Sequence, residues 1–414
     1  MNSQRLLSTL HALSLCNATP GKGITRFSWS DADYQARKLI EGELQAIGLQ
    51  PWTDGIGNIH ARLDGKTGFP EILMGSHLDT VLNGGPYDGA LGVVAALETL
   101  RSFHEQNFIP DFHIRFIAFA EEEGSNFGVT CLGSKAITGK VDKNTLKNLC
   151  NAEGSAWEKL YRSGFNPENL PQQQIRPEQT KAFFELHIEQ NDILEQQDIP
   201  LGIVTDICGM RLYRITFHGH SDHAASPMQG RKDPMSGFCE FVYTAEMLWK
   251  KKILPEDFSF TVGQIHCEPN IGIVIPETVS FTVDCRQVNI SILEDGWEKI
   301  KKLIHDIAQQ KELSLEICPL SASGGTRTSP ELNQILFQVA QEHGISPLFL
   351  KSGPAHDTAE IGRIVPSALL FVPSKKGLSH CPQEDTSDEH ICLGTQIFEQ
   401  AIRKISTQNA ESKH

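Results

Sequence analysis

The chain has 414 residues, 39% of them hydrophobic and 21% charged, with 37 basic against 51 acidic side chains and a formal charge of −14. This length exceeds what one hydrophobic core ordinarily serves, so two domains are expected. The acidic balance argues against nucleic acid and anionic membrane as partners.

Leu6, Leu10 and Leu13 share one helical face, with His11 interrupting the run, which predicts an amphipathic first helix and not a signal sequence. Residues 31–48 predict a second helix, with Leu39, Leu44 and Ile47 inward and Gly48 as its stop. Glu71–Gly75 reads as an apolar strand, Ala90–Phe103 as an apolar helix and His113–Ala120 as a buried strand in which His113 is a satisfied core residue. Residues 151–181, with Gln172, Gln173, Gln174 and scattered prolines, read as a loop-rich excursion.

At about residue 208 the rhythm changes. Strand Arg211–His218, helix Asp233–Lys251, strands Ser259–Cys267 and Thr278–Arg286, a helix near Ile292–Gln309 and strand Leu313–Cys318 give the split ferredoxin-like order β-α-β-β-α-β. The α/β pattern then resumes with helix Leu332–Gly344 and strand Ser367–Val372. We therefore expect a discontinuous α/β domain with a mixed sheet, residues 1–207 and 324–414, carrying an inserted ferredoxin-like lid or dimerisation domain, residues 208–323. No apolar run reaches membrane-spanning length. The ten cysteines contain no C-x-x-C pair and read as reduced, mostly buried thiols of a cytoplasmic protein.

The chemistry gathers at strand ends, where open α/β sheets bind their ligands. His77 and Asp79 close one apolar run, Asp88 precedes a helix, and Glu121, Glu122 and Glu123 follow another apolar run, where solvated charge is not expected. With His187 and His380, the residues His77, Asp88 and Glu123 form a ligand set suited to a pair of zinc ions sharing a carboxylate and a water. Asp79, two residues from His77, is placed to hold the other imidazole nitrogen. Taken alone, His187 is as well read as an exposed strand histidine, and His223 as a loop residue.

The motifs GSHLDT (75–80), YDG (87–89), EEEG (121–124), ELHIEQ (185–190), DHA with SPM (222–228), DCR (284–286) and GLSHCP (377–382) together resemble the hydantoinase/carbamoylase amidases of the aminoacylase-type metallopeptidase superfamily. The resemblance runs over essentially the whole chain. It implies one metal held by His77, Asp88 and His187 and a second by Asp88, Glu123 and His380, with Asp88 bridging and Glu122 as general base. The triplet also admits Glu121 and Glu122 as base and ligand; the glycine directly after Glu123 favours the first register. Two divalent ions per subunit are implied, zinc first, with manganese or cobalt as alternatives.

The resemblance further implies that His223 donates to the oxyanion from a partner subunit, hence a homodimer through the inserted domain. It also implies that Arg286 clamps a substrate carboxylate and that Gln190 is a polar contact near the metals. Two positions depart from the family pattern: Ile273 stands where many relatives have asparagine, and Met210 where allantoate enzymes have glutamine. Apolar residues there favour an N-carbamoyl or N-acyl amino acid with an apolar portion. The alternatives are allantoate or ureidoglycolate hydrolysis, then an aminoacylase or dipeptidase, and last a catalytically silent metal-binding protein.

Overall fold

Leu6, Leu10 and Leu13 are buried along one side of the first helix, Ser3–Leu15, each contributing about 2 kcal/mol of burial. Arg26 explains how that helix ends. Its fully buried guanidinium donates to the carbonyls of Leu13 (2.9 Å) and Cys16 (3.2 Å) and to that of Leu78 (2.7 Å), just beyond the strand that ends in His77. In this computed structural model, which describes residues 1–407, the chain divides into two compact units. One comprises Met1–Ile207 and the chain from Thr326 onward; the other is Cys208–Gly325.

The first unit is built on a nine-stranded mixed sheet. At its centre, Phe112–Phe119, Gly68–His77, Thr180–Ile188 and Ser367–Val372 lie side by side and parallel. Antiparallel neighbours Ile59–Leu63 and Gly202–Ile207 flank them. The central strands are buried on both faces over most of their length, which is why they read as largely apolar runs. Helix Ala90–Glu105 is apolar nearly all round and buried from Ala90 to Phe103, as a helix laid against a sheet and covered by others must be. Because the four central strands are parallel, His77, the segment after Phe119, His187 and the segment after Val372 all arrive at one edge.

The second unit is an antiparallel sheet of five strands, with Gly209–His218 between Thr278–Gln287 and Ser314–Ser323. Val279, Phe281, Val283 and Cys285 alternate inward and pack with helices Pro234–Lys250 and Ile290–Gln310 through Phe241, Trp297, Ile300 and Ile304.

Four expectations are corrected. The single strand expected over Ser259–Cys267 is two, Ser259–Thr261 and Ile265–Glu268. Thr261 pairs with Asp284 but Ile265 with Phe281, so one extra residue is extruded around Gly263, a bulge that glycine tolerates. The segment 151–181 is not mainly loop: helix Ala156–Arg162 opens on a capping box from Ser155 and Glu158, and Ala156 and Leu160 join a satellite core with Trp29 and Leu132. Of the ten cysteines only Cys16, Cys131 and Cys285 are buried, and all are free thiols. His113 is satisfied, accepting from the Gly65 amide at 3.0 Å, but its side chain is 13% exposed and lies at the margin of the core.

Candidate metal centre

Each candidate side chain is delivered by a backbone device. Gly89 adopts φ +64°, and a Cβ there would lie 2.4 Å from the His77 ring, so only glycine lets the Asp88 turn close over that imidazole. His77 and His187 end parallel strands, while Glu122 and Glu123 follow Glu121, held at φ +57°. His380 (φ +56°) and Gln190 (φ +57°) also occupy the left-handed region, a concentration of strained non-glycine residues typical of sites whose geometry is over-determined.

Asp88 sits at the middle. Its Oδ1 lies 3.3 Å from His77 Nε2 and 3.2 Å from His187 Nε2, whereas Oδ2 lies 3.3 Å from His380 Nε2. His380 Nε2 is also 3.3 Å from Glu123 Oε2. Two triads result, His77–Asp88–His187 and Asp88–Glu123–His380, each with donor atoms mutually within 4.8 Å.

The imidazole tautomers suit cation binding. His77 Nδ1 donates to the Asp79 carbonyl at 3.1 Å and His187 Nδ1 to the Ile188 carbonyl at 2.9 Å, which turns both Nε2 atoms toward Asp88, that of His187 also accepting the Gly89 amide at 3.2 Å. Asp79 does meet the other His77 nitrogen, but the hydrogen bond is made by its backbone carbonyl; its carboxylate, with Oδ1 3.8 Å from Nδ1, accepts the amides of Glu122 (3.0 Å) and Glu123 (3.1 Å). Asp79 thus shapes the acidic turn. His356, missed in the sequence, packs its ring edge-on against His187 with centroids 4.6 Å apart.

The electrostatics describe a buried pool of negative charge. Burial pushes Glu123 well above the usual carboxylate range, reinforced by Asp88, and burial together with Asp79 takes Glu121 to about 8. Burial would also raise Asp88, but His187, His380 and His77 outweigh it and hold the carboxyl well below its ordinary value. For His77, burial disfavours the cation, and Glu122, Asp88 and Asp79 more than offset it. Glu123 Oε1 is buried without a hydrogen-bond partner among the described residues. Nitrogen and carboxylate donors, an orphaned carboxylate oxygen and a field that favours added positive charge all fit divalent ions.

Glu122 lies beside the triads, its Oε2 3.9 Å from His77 Nε2. Its Oε1 accepts the Cys131 thiol at 3.0 Å, and burial holds that thiol well above its ordinary pKa and so protonated. Cys131, Leu132 and Gly133 donate their amides in turn to the carbonyls of Glu122, Glu121 and Ala120, which locks the thiol opposite the glutamate. Neither Cys131 nor Glu384, a buried carboxyl against Asp88 that burial and Asp88 raise to about 7, was legible as part of the site.

A model of peptidase family M20/M25/M40 matches residues 73–404. The N-carbamoyl-L-amino acid amidohydrolase of Geobacillus stearothermophilus is 32% identical, covering 98% of this chain and 99% of that one. The allantoate amidohydrolase of Bacillus subtilis (strain 168) is 34% identical over 95% of each. The solved structure of a hydantoinase/carbamoylase family amidase from Burkholderia vietnamiensis superposes with a TM-score of 0.88 at 28% identity, over 98% of both chains. The chain belongs to peptidase family M20/M25/M40, among its hydantoinase/carbamoylase amidases.

The remaining candidates of this M20 chain lie in the second unit, where the fold pairs them. Met210 stands directly across from Arg286 in the sheet. His223 stands across from Val274, and the next residue, Ala224, donates its amide to the Ile273 carbonyl at 3.0 Å. Arg286 is forked onto Asp284, with Nη2–Oδ2 at 2.9 Å. His223 Nδ1 accepts the Ala225 amide at 3.0 Å, so the neutral ring carries its proton on Nε2. Arg231 holds this loop by donating to the carbonyls of Ala224 (2.9 Å) and Pro227 (3.1 Å). In the first unit, Gln190 donates from Nε2 to Asp88 Oδ2 at 2.7 Å, so it touches the centre itself. Among the described residues no helix is long and apolar enough to cross a membrane.

Proposed function

We propose that this chain is a metal-dependent amidohydrolase that cleaves the ureido or amide C–N bond of an N-carbamoyl-L-amino acid or a related N-substituted amino acid. The observation that carries this reading is the division of the Asp88 carboxylate between two ligand triads. His77, Asp88 and His187 would hold one divalent ion, and Asp88, Glu123 and His380 a second, with zinc favoured and manganese or cobalt as alternatives. Such ions, when bound, acidify water and polarise a carbonyl oxygen.

Glu122 takes the proton of the attacking water through Oε2, the oxygen that Cys131 leaves open. As the new C–O bond forms, the Nε2–H of His223 donates to the developing oxyanion. Glu122 then returns its proton to the nitrogen as the C–N bond breaks. For an N-carbamoyl amino acid the products are the amino acid, ammonia and carbon dioxide. Arg286, oriented by Asp284, receives the substrate carboxylate, and Gln190 steadies Asp88.

The second unit, with its β-α-β-β-α-β order, serves as the ferredoxin-like lid and dimerisation domain, and His223 acts in the site of the partner subunit. A homodimer is favoured by the exposed apolar face of that unit. Tyr243 and Ile265, 68% and 49% exposed, lie beside a groove of about 690 Å³ lined by Val242, Trp249 and Phe260. Allantoate is the second reading, favoured by the 34% identity to the Bacillus subtilis amidohydrolase.

A panel of N-carbamoyl-L-amino acids and allantoate, assayed for ammonia release with zinc, manganese or cobalt, tests the assignment. Turnover of carbamoyl amino acids that vanishes in Glu122→Gln supports it; turnover of allantoate alone selects the second reading, and ammonia release unchanged in Glu122→Gln removes the proposed base.

A further inference from the structure

Glu384 is 5% exposed and lies nearly three hundred residues from the turn it serves. Its Oε1 accepts the amides of Tyr87 (2.8 Å) and Asp88 (3.1 Å). Helix Ala90–Glu105 begins directly after this turn and has no side-chain cap from its own Gly89, so a distant carboxylate supplies the acceptor for the turn. The other oxygen, Oε2, is 2.9 Å from the hydroxyl of Ser379, the residue before His380, and that hydroxyl is 2.6 Å from Asp88 Oδ2. One side chain therefore grips the backbone of the shared ligand and lies against the Ser379 hydroxyl, whose single proton is shared between Asp88 Oδ2 and Glu384 Oε2, on the loop that presents His380.

A second observation shows that the fold is cut to admit this carboxylate. A Cβ on Gly85 would lie 2.2 Å from Glu384 Cδ, so glycine at 85 is what lets Glu384 reach the turn. Neither Glu384 oxygen is turned to a histidine: both are taken by the amides and by Ser379, which sets it apart from the ligands.

We propose that Glu384 is a positioning residue that couples the Asp88 turn to the His380 loop and thereby sets how tightly the centre retains divalent metal. The proposal rests on the metal-centre reading above. Groups that orient metal ligands typically change metal affinity by about 10–100-fold when removed. The loss in Glu384→Ala belongs to this class, because the turn amides lose their acceptor and the loops their common anchor.

The test is zinc binding by the full-length protein, read by competition with a chromophoric chelator and by elemental analysis of ions per subunit. Melting of the metal-free forms serves as the control for folding. Glu384→Ala and Gly85→Ala are each expected to weaken zinc by about 10–100-fold with the metal-free melting profile kept, and Glu384→Gln, which retains the acceptor oxygen, to fall between them and the parent. Gly85→Ala leaves every carboxylate in place, so it reports on positioning without a change of charge. Zinc held within about twofold of the parent by folded Glu384→Ala or Gly85→Ala overturns the proposal. A parent protein that binds no zinc, manganese or cobalt overturns the metal-centre reading as well, and so separates the two failures.

Discussion

The Cys131 thiol donates to Glu122 Oε1 at 3.0 Å, in a buried position where that thiol stays protonated. Of the two Glu122 oxygens, only Oε2 is then turned toward the His77 side. Cys131→Ala removes a hydrogen bond to a charged acceptor, a contribution of about 1.5–3 kcal/mol. We expect kcat to fall by about 10–100-fold with KM little changed, because the effect falls on the proposed base and not on substrate binding. Cys131→Ser, which keeps a donor, should recover most of the loss. Steady-state kinetics on the three proteins decide the matter, and equal rates for alanine and parent would refute the role.

His223 is the subject of a second prediction. With Nδ1 occupied by the Ala225 amide, nitrogen-detected NMR should find the neutral ring protonated at Nε2. His223→Ala should lower kcat by about 10²–10³-fold with metal content intact. If the residue acts in the partner's site, mixing inactive His223→Ala with inactive His380→Ala subunits should restore up to about a quarter of parent activity, since half the dimers formed at random carry one complete site. Mixtures that stay inactive while hybrid dimers demonstrably form would place His223 in its own subunit's chemistry.

Substrate preference should follow Ile273 and Met210. Ile273→Asn and Met210→Gln each add a polar group where the second ureido arm of allantoate is expected. The double variant should raise kcat/KM for allantoate relative to an apolar N-carbamoyl amino acid by about tenfold or more. A ratio that does not move removes both residues from the specificity pocket.

Acid stability should report on His60, which is not part of the candidate metal centre. This fully buried ring, 3.1 Å from Asp54 Oδ2 and accepting from Arg115 Nε at 3.3 Å, is lowered to about 4 from its ordinary 6.5, by burial first and then by Arg115. Between these values the unfolded chain binds a proton that the folded chain refuses, so stability is lost as pH falls from 6.5 toward 4. The shift corresponds to about 3 kcal/mol at most. Urea denaturation of parent and His60→Gln across that window should show a shallower decline in the variant; parallel curves would exclude His60.

Much of the candidate site lay open to reading because its candidate ligands sit beside strand ends and glycine turns, which local pattern reveals. Glu384 and Cys131 were not legible for the opposite reason. Nothing in their own neighbourhood distinguishes them, and their importance arises from which distant loop the fold lays against them. Asp79 is an intermediate case. Its position two residues from His77 was correctly suggestive, but whether its carboxylate or its carbonyl meets the ring depends on the competing amides of Glu122 and Glu123. The helix at Ala156–Arg162 had a readable signal, the Ser155–Glu158 capping box, hidden among glutamines and prolines.

Periodicity and short motifs, being local, determined by themselves the α/β class, the change of rhythm near residue 208, the family and the candidate ligands. Only the tertiary structure decided that Asp88 turns one oxygen to His77 and His187 and the other to His380, and which buried groups brace it. Those are contacts between segments up to about three hundred residues apart, set by how parallel strands bring their ends to one edge, and no local pattern encodes them.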